Sequence, residues 1–402
     1  MKLIKRDTYL KQLIDTIGTP DIKVITGVRR SGKSKLMESF IEYVKEKDSS
    51  ANIIHLNLNL PENENLLEYH SLYNYINSLY KEKVTNYVFV DEIQMCKRFE
   101  KAIIGLHTSE KYDIYITGSN AFLLSSDLAT LFTGRTFRIE VYPFSFKEYC
   151  KYFEIRDNYE KALEGYIKIG GMSGSYLYKS EKDKQNYLKD VYTTLVLRDI
   201  VQKYAIKKRI LIEKISDYMM DNISNITTAR NITKSISGTE LSASNATVTS
   251  YIKYLCNSFA FYQVRKYDVK GKKYLTSHEK YYLCDHALRY SFLGTRNIDY
   301  GRVIENIVAI ELLRRGFTIY AGALYGKEID FVAMKHNQKI YIQVSDNISN
   351  KETLERELTP LKSIKDAYPK QIIARTYQPD YDINGIKIID LTSWLMTMWN
   401  QF

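Results

Sequence analysis

The stretch IKVITGVRRSGKS, residues 22–34, decides how the rest of the chain is read. Five strand-forming residues run into GVRRSGKS, which fits the pattern GxxxxGK[ST] in full. A glycine-rich turn between a strand and a helix points backbone N–H groups and the helix N-terminus at phosphate oxygens. Gly27 and Gly32 let the backbone curl, Lys33 is placed to meet the β and γ phosphates, and the Ser34 hydroxyl to ligate Mg²⁺. With Arg30, Ser31 and Lys35, these residues make up the expected contact set for ATP.

Outward from that loop, short apolar runs alternate with helical patterns. IKVIT (22–26), NIIHLNL (52–58), YVFV (87–90), DIYIT (113–117) and FRIEV (137–141) read as strands. KLMESFIEYVKEK and LLEYHSLYNYINSLYKEK carry apolar residues at helical spacing. Such alternation means an α/β domain with a parallel sheet. YVFVDEIQ delivers Asp91 and Glu92 at the C-terminal end of a buried strand, where α/β sheets bind ligands. Asp91 is expected to hold the metal through water, and Glu92 to act as base on the attacking water. Thr117, Ser119 and Asn120 end the next strand and either orient that water or serve as turn and cap residues. Arg135 stands just before FRIEV, where it either reaches a neighbouring subunit's phosphate or makes a surface ion pair.

The 402 residues carry a formal charge of +11, which favours a polyanionic partner such as DNA over a merely soluble lysine-rich surface. Four scattered cysteines form no CxxC or Cys/His cluster, so neither a zinc site nor a disulfide framework is expected. The first 18 residues are charged throughout, and no run of 18 apolar residues exists, which points to a cytoplasmic protein without a membrane span.

From about 145 the strands give way to a helical section, with GGMSGS (170–175) as a flexible break within it. Residues 226–285 read as helix, helix, then a strand pair with a basic tip, the layout of a winged helix. Its second helix lies in SASNATVTSYIKYLCNSF, capped by Ser242 or Ser244, with Lys253 as its sole charge. Lys270, Lys272 and Lys273 at the tip are expected to make phosphate contacts if DNA is bound. Beyond them, GRVIENIVAIELLRRGF is a helix, and KEIDFVAMKHNQKIYIQVSD (327–346) reads as two strands joined by a turn. That stretch sets Glu328 and Asp330 at a strand end, as a divalent metal for phosphodiester cleavage requires.

Together, IKVITGVRRSGKS, YVFVDEIQ, YITGSN, FTGR and YPFSFKEY resemble the bacterial and archaeal AAA-type P-loop ATPases that bear a C-terminal domain of undefined function. KYYLCDHALRY, ENIVAIELLRRGF, KEIDFVA and YIQVSD resemble that C-terminal part. The resemblance implies Walker A at 27–34, Walker B at Asp91 and Glu92, sensor 1 among Ser119 and Asn120, and an arginine finger at Arg135. It also places Arg6 and Tyr9 ahead of the first strand, beside the adenine or in helix packing. The last domain resembles the restriction-endonuclease-like fold, in which a helix glutamate, an Asp and an (Asp/Glu)-x-Lys converge. Glu305, Asp330 and Gln343 match those positions, with Ser345 where the lysine belongs. Gln343 still offers a neutral carbonyl and Glu328 a charge, but Lys327 and Lys339 stand at the wrong strand positions, so a degenerate, inactive site is expected.

The expected class is therefore α/β: a P-loop AAA-type domain (1–145), a helical region (146–225), a winged-helix-like domain (226–295) and a small restriction-endonuclease-like α/β domain (296–402). The expected function is ATP hydrolysis coupled to engagement of DNA or a protein partner, in a homo-oligomer. An ATP-dependent nuclease and a nucleotide-controlled scaffold that never touches DNA are the rivals.

Overall fold

Five parallel strands, β1 (Ile22–Thr26), β2 (Asn52–Asn57), β3 (Asn86–Asp91), β4 (Asp113–Thr117) and β5 (Thr136–Glu140), form one sheet in the order β2-β3-β4-β1-β5. The computed structural model describes residues 3–118, 132, 134–238, 241–294 and 299–397, with the backbone alone at 195–197 and 273–278. In β1, β3 and β4 every residue is buried, so these strands read as mostly apolar runs, whereas the edge strands β2 and β5 mix buried and exposed positions. The helices Lys33–Lys47, Tyr69–Ser78 and Phe99–Thr108 bury apolar stripes such as Leu36, Met37 and Phe40. Because β1 lies between β4 and β5, the chain leaving it crosses to the far edge of the sheet. Crossovers of this kind open a crevice at the C-terminal strand ends.

One charged residue interrupts the core of β1. Lys23 is fully buried and its Nζ donates to Asp113 Oδ1 at 2.6 Å and to the Thr19 carbonyl at 2.6 Å. Asp113 Oδ2 also accepts from the Gly18 N–H at 3.0 Å and the Tyr115 hydroxyl at 3.1 Å. Removing one partner of such a pair strands the other charge away from water. Asp113→Ala should lower the unfolding free energy by about 3–5 kcal/mol in chemical denaturation. Adding Lys23→Met should recover part of that loss, and no loss in the single variant would show the lysine to be solvated.

The chain divides into two compact units, Met1–Tyr142 and Pro143–Phe402. The second carries a nine-stranded sheet in the order β13-β14-β12-β11-β10-β9-β7-β8-β6. Its strands are β6 (Ile226–Thr227), β7 (Phe261–Asp268), β8 (Lys273–Leu283), β9 (Thr318–Leu324), β10 (Lys327–Lys335), β11 (Gln338–Ser345), β12 (Lys370–Ala374), β13 (Tyr381–Ile383) and β14 (Ile386–Asp390). The border expected between 295 and 296 is not one in the structure. β7 pairs with β9 in parallel, Lys266 opposite Ala321, so the two expected domains share a sheet. Short apolar runs carry no label for the strand they pair with, which is why the join escaped the sequence pattern.

GGMSGS is likewise not a flexible break. Gly171 donates its N–H to Asp285 at 2.8 Å, Ser173 and Ser175 are buried, and Ser173–Leu177 is a 3₁₀ turn. A Cβ on Gly171 would lie 2.2 Å from the Phe144 carbonyl oxygen. The glycine is there for close packing, not for freedom. No helix among the described residues is long and apolar enough to cross a membrane.

Candidate functional site

The loop leaving β1 is a backbone cradle. Gly27 has φ 132°, and a Cβ on it would stand 2.1 Å from the Val141 carbonyl oxygen, so no other residue fits there. Arg30 (φ 62°) and Gly32 (φ 94°) also take positive φ, which turns the chain into the helix Lys33–Lys47. Gly32 caps that helix without a side chain, and its first turn holds no acidic residue. The first N–H groups of a helix have no carbonyl partner within it, so this end is open to an anion. Ser31 is buried and its Oγ has no hydrogen-bond partner among the described residues, a polar atom left over inside the loop.

Lys33 is buried too, and its Nζ donates to the Gly27 and Val28 carbonyls, each at 3.1 Å. The ammonium is thus held over the cradle by the loop's own backbone. Ser34 is half-buried in the first turn. Lys35 is exposed, with its Nζ 2.6 Å from Glu38, so its side chain is occupied on the outer helix face and only its N–H belongs to the open helix end.

Arg6 and Tyr9 brace this loop. The guanidinium of Arg6, 6% exposed, donates to the Ser31 carbonyl and to the Tyr142 carbonyl, both at 2.9 Å. It lies 4.5 Å over the Tyr9 ring, whose hydroxyl accepts from the Tyr142 N–H at 3.2 Å. These contacts tie Arg6 to the phosphate loop and both side chains to the backbone of Tyr142.

At the end of β3, Asp91 is 3% exposed, and the Thr117 hydroxyl donates to its carboxylate. Thr117 Oγ1 also accepts from the Glu92 N–H at 3.1 Å, so the last residue of β4 fixes both acids. Glu92 takes φ 57° and ψ 47°, a conformation a glutamate adopts only where the surroundings impose it. Its half-buried carboxylate accepts from Gln94 Nε2. Ser119 and Asn120 lie outside the described residues. Arg135 is exposed, and its carbonyl accepts from the Ile22 N–H at 2.9 Å, which sets it beside the start of β1. The phosphate loop follows the other end of that strand, roughly 16 Å along it at strand rise. Sequence reasoning missed Arg138, whose Nε donates to Thr26 Oγ1 at 3.1 Å and whose Nη2 lies 2.6 Å from Glu140. Strand register sets Arg138 opposite Val24, and its side chain reaches from there to the residue preceding Gly27.

The second unit brings Glu305, Glu328 and Asp330 around a residue the sequence did not single out, with Gln343 bonded to the Asp330 N–H beside them. Lys280, on β8 and 3% exposed, places its Nζ 2.9 Å from Glu305 Oε1, 2.5 Å from Glu328 Oε1 and 3.7 Å from Asp330 Oδ1. The Tyr282 hydroxyl adds a bond to Glu305 Oε1 at 2.7 Å. Burial pushes the Asp330 carboxyl up to about 8, helped by repulsion from Glu305, and raises Glu305 as well. Burial alone would lower the Lys280 ammonium, but the three carboxylates together raise it.

Gln343 does not offer its carbonyl to a metal. Its Oε1 accepts from the Asp330 N–H at 2.8 Å and its Nε2 donates to Glu357 at 2.8 Å. Ser345 Oγ donates to the Asn347 carbonyl at 3.3 Å, while Lys339 pairs with Asp366 at 3.1 Å. At the expected DNA-facing tip, Ser244 rather than Ser242 caps the helix Asn245–Asn257, accepting from the Thr247 N–H at 3.2 Å. Lys253, Lys270 and Lys272 are exposed, Lys270 lies 5.1 Å over the Tyr325 ring, and the Val269 N–H donates to Ala323 at 3.0 Å. The side chain of Lys273 lies outside the described set.

Residues 19–150 match the family described as an AAA domain, and residues 160–299 match a domain of unknown function, DUF8612. An uncharacterized protein of Haemophilus influenzae is 35% identical over 98% of this chain and 99% of its own length. One from Methanocaldococcus jannaschii is 30% identical over 91% of this chain and 82% of its own. The Walker-type ATPase paby2304 of Pyrococcus abyssi aligns with 72% of this chain and 95% of its own, at 14% identity and a TM-score of 0.47. The chain belongs to one family with the Haemophilus and Methanocaldococcus proteins, and its N-terminal domain is that of the AAA-type P-loop ATPases.

Proposed function

We propose that this AAA-type ATPase is a nucleotide-driven switch, in which ATP bound and hydrolysed at the β1 loop sets how Pro143–Phe402 engages DNA or a protein partner. The observation that carries the reading is the built phosphate cradle, with Lys33 held over it and Asp91 and Glu92 fixed by one threonine. The open helix end and the unpartnered Ser31 hydroxyl fit a phosphate group. Ser34 and Asp91 have the oxygen donors a hard cation takes, and Mg²⁺ there supplies neutralisation of phosphate charge. Lys33 stabilises charge that builds on the phosphate oxygens, and Glu92 accepts the proton of the attacking water. Arg135, beyond reach of its own loop, serves a neighbouring copy of the chain.

For the second unit, a winged helix is supported by the helix Arg209–Asp221, the helices Ala229–Ile236 and Asn245–Asn257, and strands β6, β7 and β8. β6 closes that small sheet by pairing Ile226 with Lys280. A restriction-endonuclease-like core is supported by the helix Tyr300–Arg314, the strands β9, β10 and β11, the helix Lys351–Lys362 and β12 in succession. The net charge of +11 and the exposed Lys270 and Lys272 favour DNA as the partner. The test is ATP turnover with and without duplex DNA at low and high salt. Turnover should rise severalfold with DNA, and the rise should vanish at high salt as phosphate contacts are screened. Turnover without any response to DNA would move the partner to a protein, and no turnover would remove the reading altogether.

A further inference from the structure

The carboxylate centre of the second unit already has its cation. Three acids, from the helix Tyr300–Arg314 and from β10, point at one buried ammonium from β8. An ammonium has three N–H groups, and here three carboxylates are within reach of it. β8 is not a neighbour of β10, because β7 and β9 lie between them in the sheet. The register of β7 on β8 shifts between Val264 and Lys266, and that of β10 on β9 between Ile329 and Val332. Bulges increase strand bending and twist, and these two fall beside Lys280 and Asp330. The Tyr282 and Phe331 rings, two residues from Lys280 and one from Asp330, lie 5.6 Å apart.

A divalent metal does not fit this arrangement. Mg²⁺ asks for oxygen ligands at about 2.1 Å in near-octahedral array. The facing oxygens of Glu305 and Glu328 are committed to Lys280, Asp330 Oδ2 accepts from the Val344 N–H at 2.9 Å, and the Gln343 carbonyl is taken by the Asp330 N–H. Among the described residues, no group of three or more His, Cys, Asp or Glu side chains is arranged to hold a metal ion.

We propose that Lys280 is a tethered cation that occupies the metal position of this centre, so that the site fastens β8, the helix and β10 together instead of taking up a divalent ion. The lysine missing from the position of Ser345 has not been replaced as a catalytic group; a cation has been built into the place of the metal itself. This inference rests on the restriction-endonuclease-like reading of the second unit and not on the nucleotide reading, and it is tested without nucleotide.

Mn²⁺ uptake by the full chain is measured by electron paramagnetic resonance, with melting followed in EDTA and in Mn²⁺. The wild type should show no uptake that Asp330→Asn removes. Lys280→Ala should melt earlier than the wild type in EDTA, gain one Mn²⁺ per chain, recover part of its melting temperature with it, and lose that gain on adding Asp330→Asn. If Lys280→Ala does not fold, Lys280→Gln keeps a hydrogen-bond donor and carries the same comparison. Asp330-dependent Mn²⁺ uptake by the wild type overturns the proposal, whatever the variants do. So does a folded Lys280 variant that gains no Mn²⁺.

Discussion

Lys33→Ala should abolish ATP turnover, by roughly 10²–10³-fold or more, the scale seen when a group that stabilises transition-state charge is removed. The variant should also be less stable without nucleotide. Its Nζ bonds to the Gly27 and Val28 carbonyls inside the loop; alanine removes both bonds, although the Val28 carbonyl keeps the Ser31 N–H at 3.1 Å. Stranding buried acceptors costs about 1–3 kcal/mol each, less where water can enter the space the side chain leaves. Thermal melting and turnover therefore have to be read together. Loss of turnover with a native circular dichroism spectrum and a modest drop in melting temperature assigns the lysine to the chemistry. Wild-type turnover in the variant would place the phosphate site elsewhere. A fully unfolded protein would make Lys33 chiefly a strut for the loop.

The same residue shows why part of the site was legible. Walker-type loops need glycine where the backbone turns left-handed or approaches another strand, and both requirements act on residues adjacent in sequence. Gly27 against Val141, and Gly32 at φ 94°, are therefore written into eight consecutive letters. Central strands were legible for a related reason: burial on both faces turns β1, β3 and β4 into mostly apolar runs that end at the residues of the proposed ATP site.

Lys280 illustrates the opposite case. It lies 25 residues before Glu305 and faces Asp330 across a sheet in which β7 and β9 stand between their strands and the register shifts beside each of them, as bulges that bend a strand do. Nothing in EKYYLC reports that bend. The one available signal was a lysine within a run otherwise suited to burial, the same signal that Lys23 gives within IKVIT. A charge in such a run implies a partner, since an unpaired one would not be buried. Asp113 answers for Lys23 and the three acids for Lys280, but the partner's identity required the tertiary fold. Arg6 was visible as a residue and not as a function, because its two carbonyl acceptors are 25 and 136 residues away.

Arg135→Ala should bind ATP with near-normal affinity yet lose turnover by roughly 10³–10⁵-fold, the range for an arginine supplied across an interface. The fold gives the reason to expect an intersubunit role. Arg135 is exposed and pairs through its carbonyl with the first residue of β1, while the phosphate loop follows the last. A side chain of its length does not span the roughly 16 Å between those strand ends. Glu92→Gln makes the complementary lesion. It keeps the left-handed corner, the Thr117 bond to its N–H and the side chain's size, but removes the base, so ATP should bind and persist unhydrolysed. Mixing the two inactive variants then separates action in cis from action in trans. In an assembly, some interfaces join an intact Glu92 to an intact Arg135 from the adjoining copy, and part of the turnover should return. Chains acting alone cannot complement, because each still carries its own defect. Absence of any return, with a monomeric mass in ATP, would confine Arg135 to a role within its own chain, and the neighbour's phosphate would need another cation.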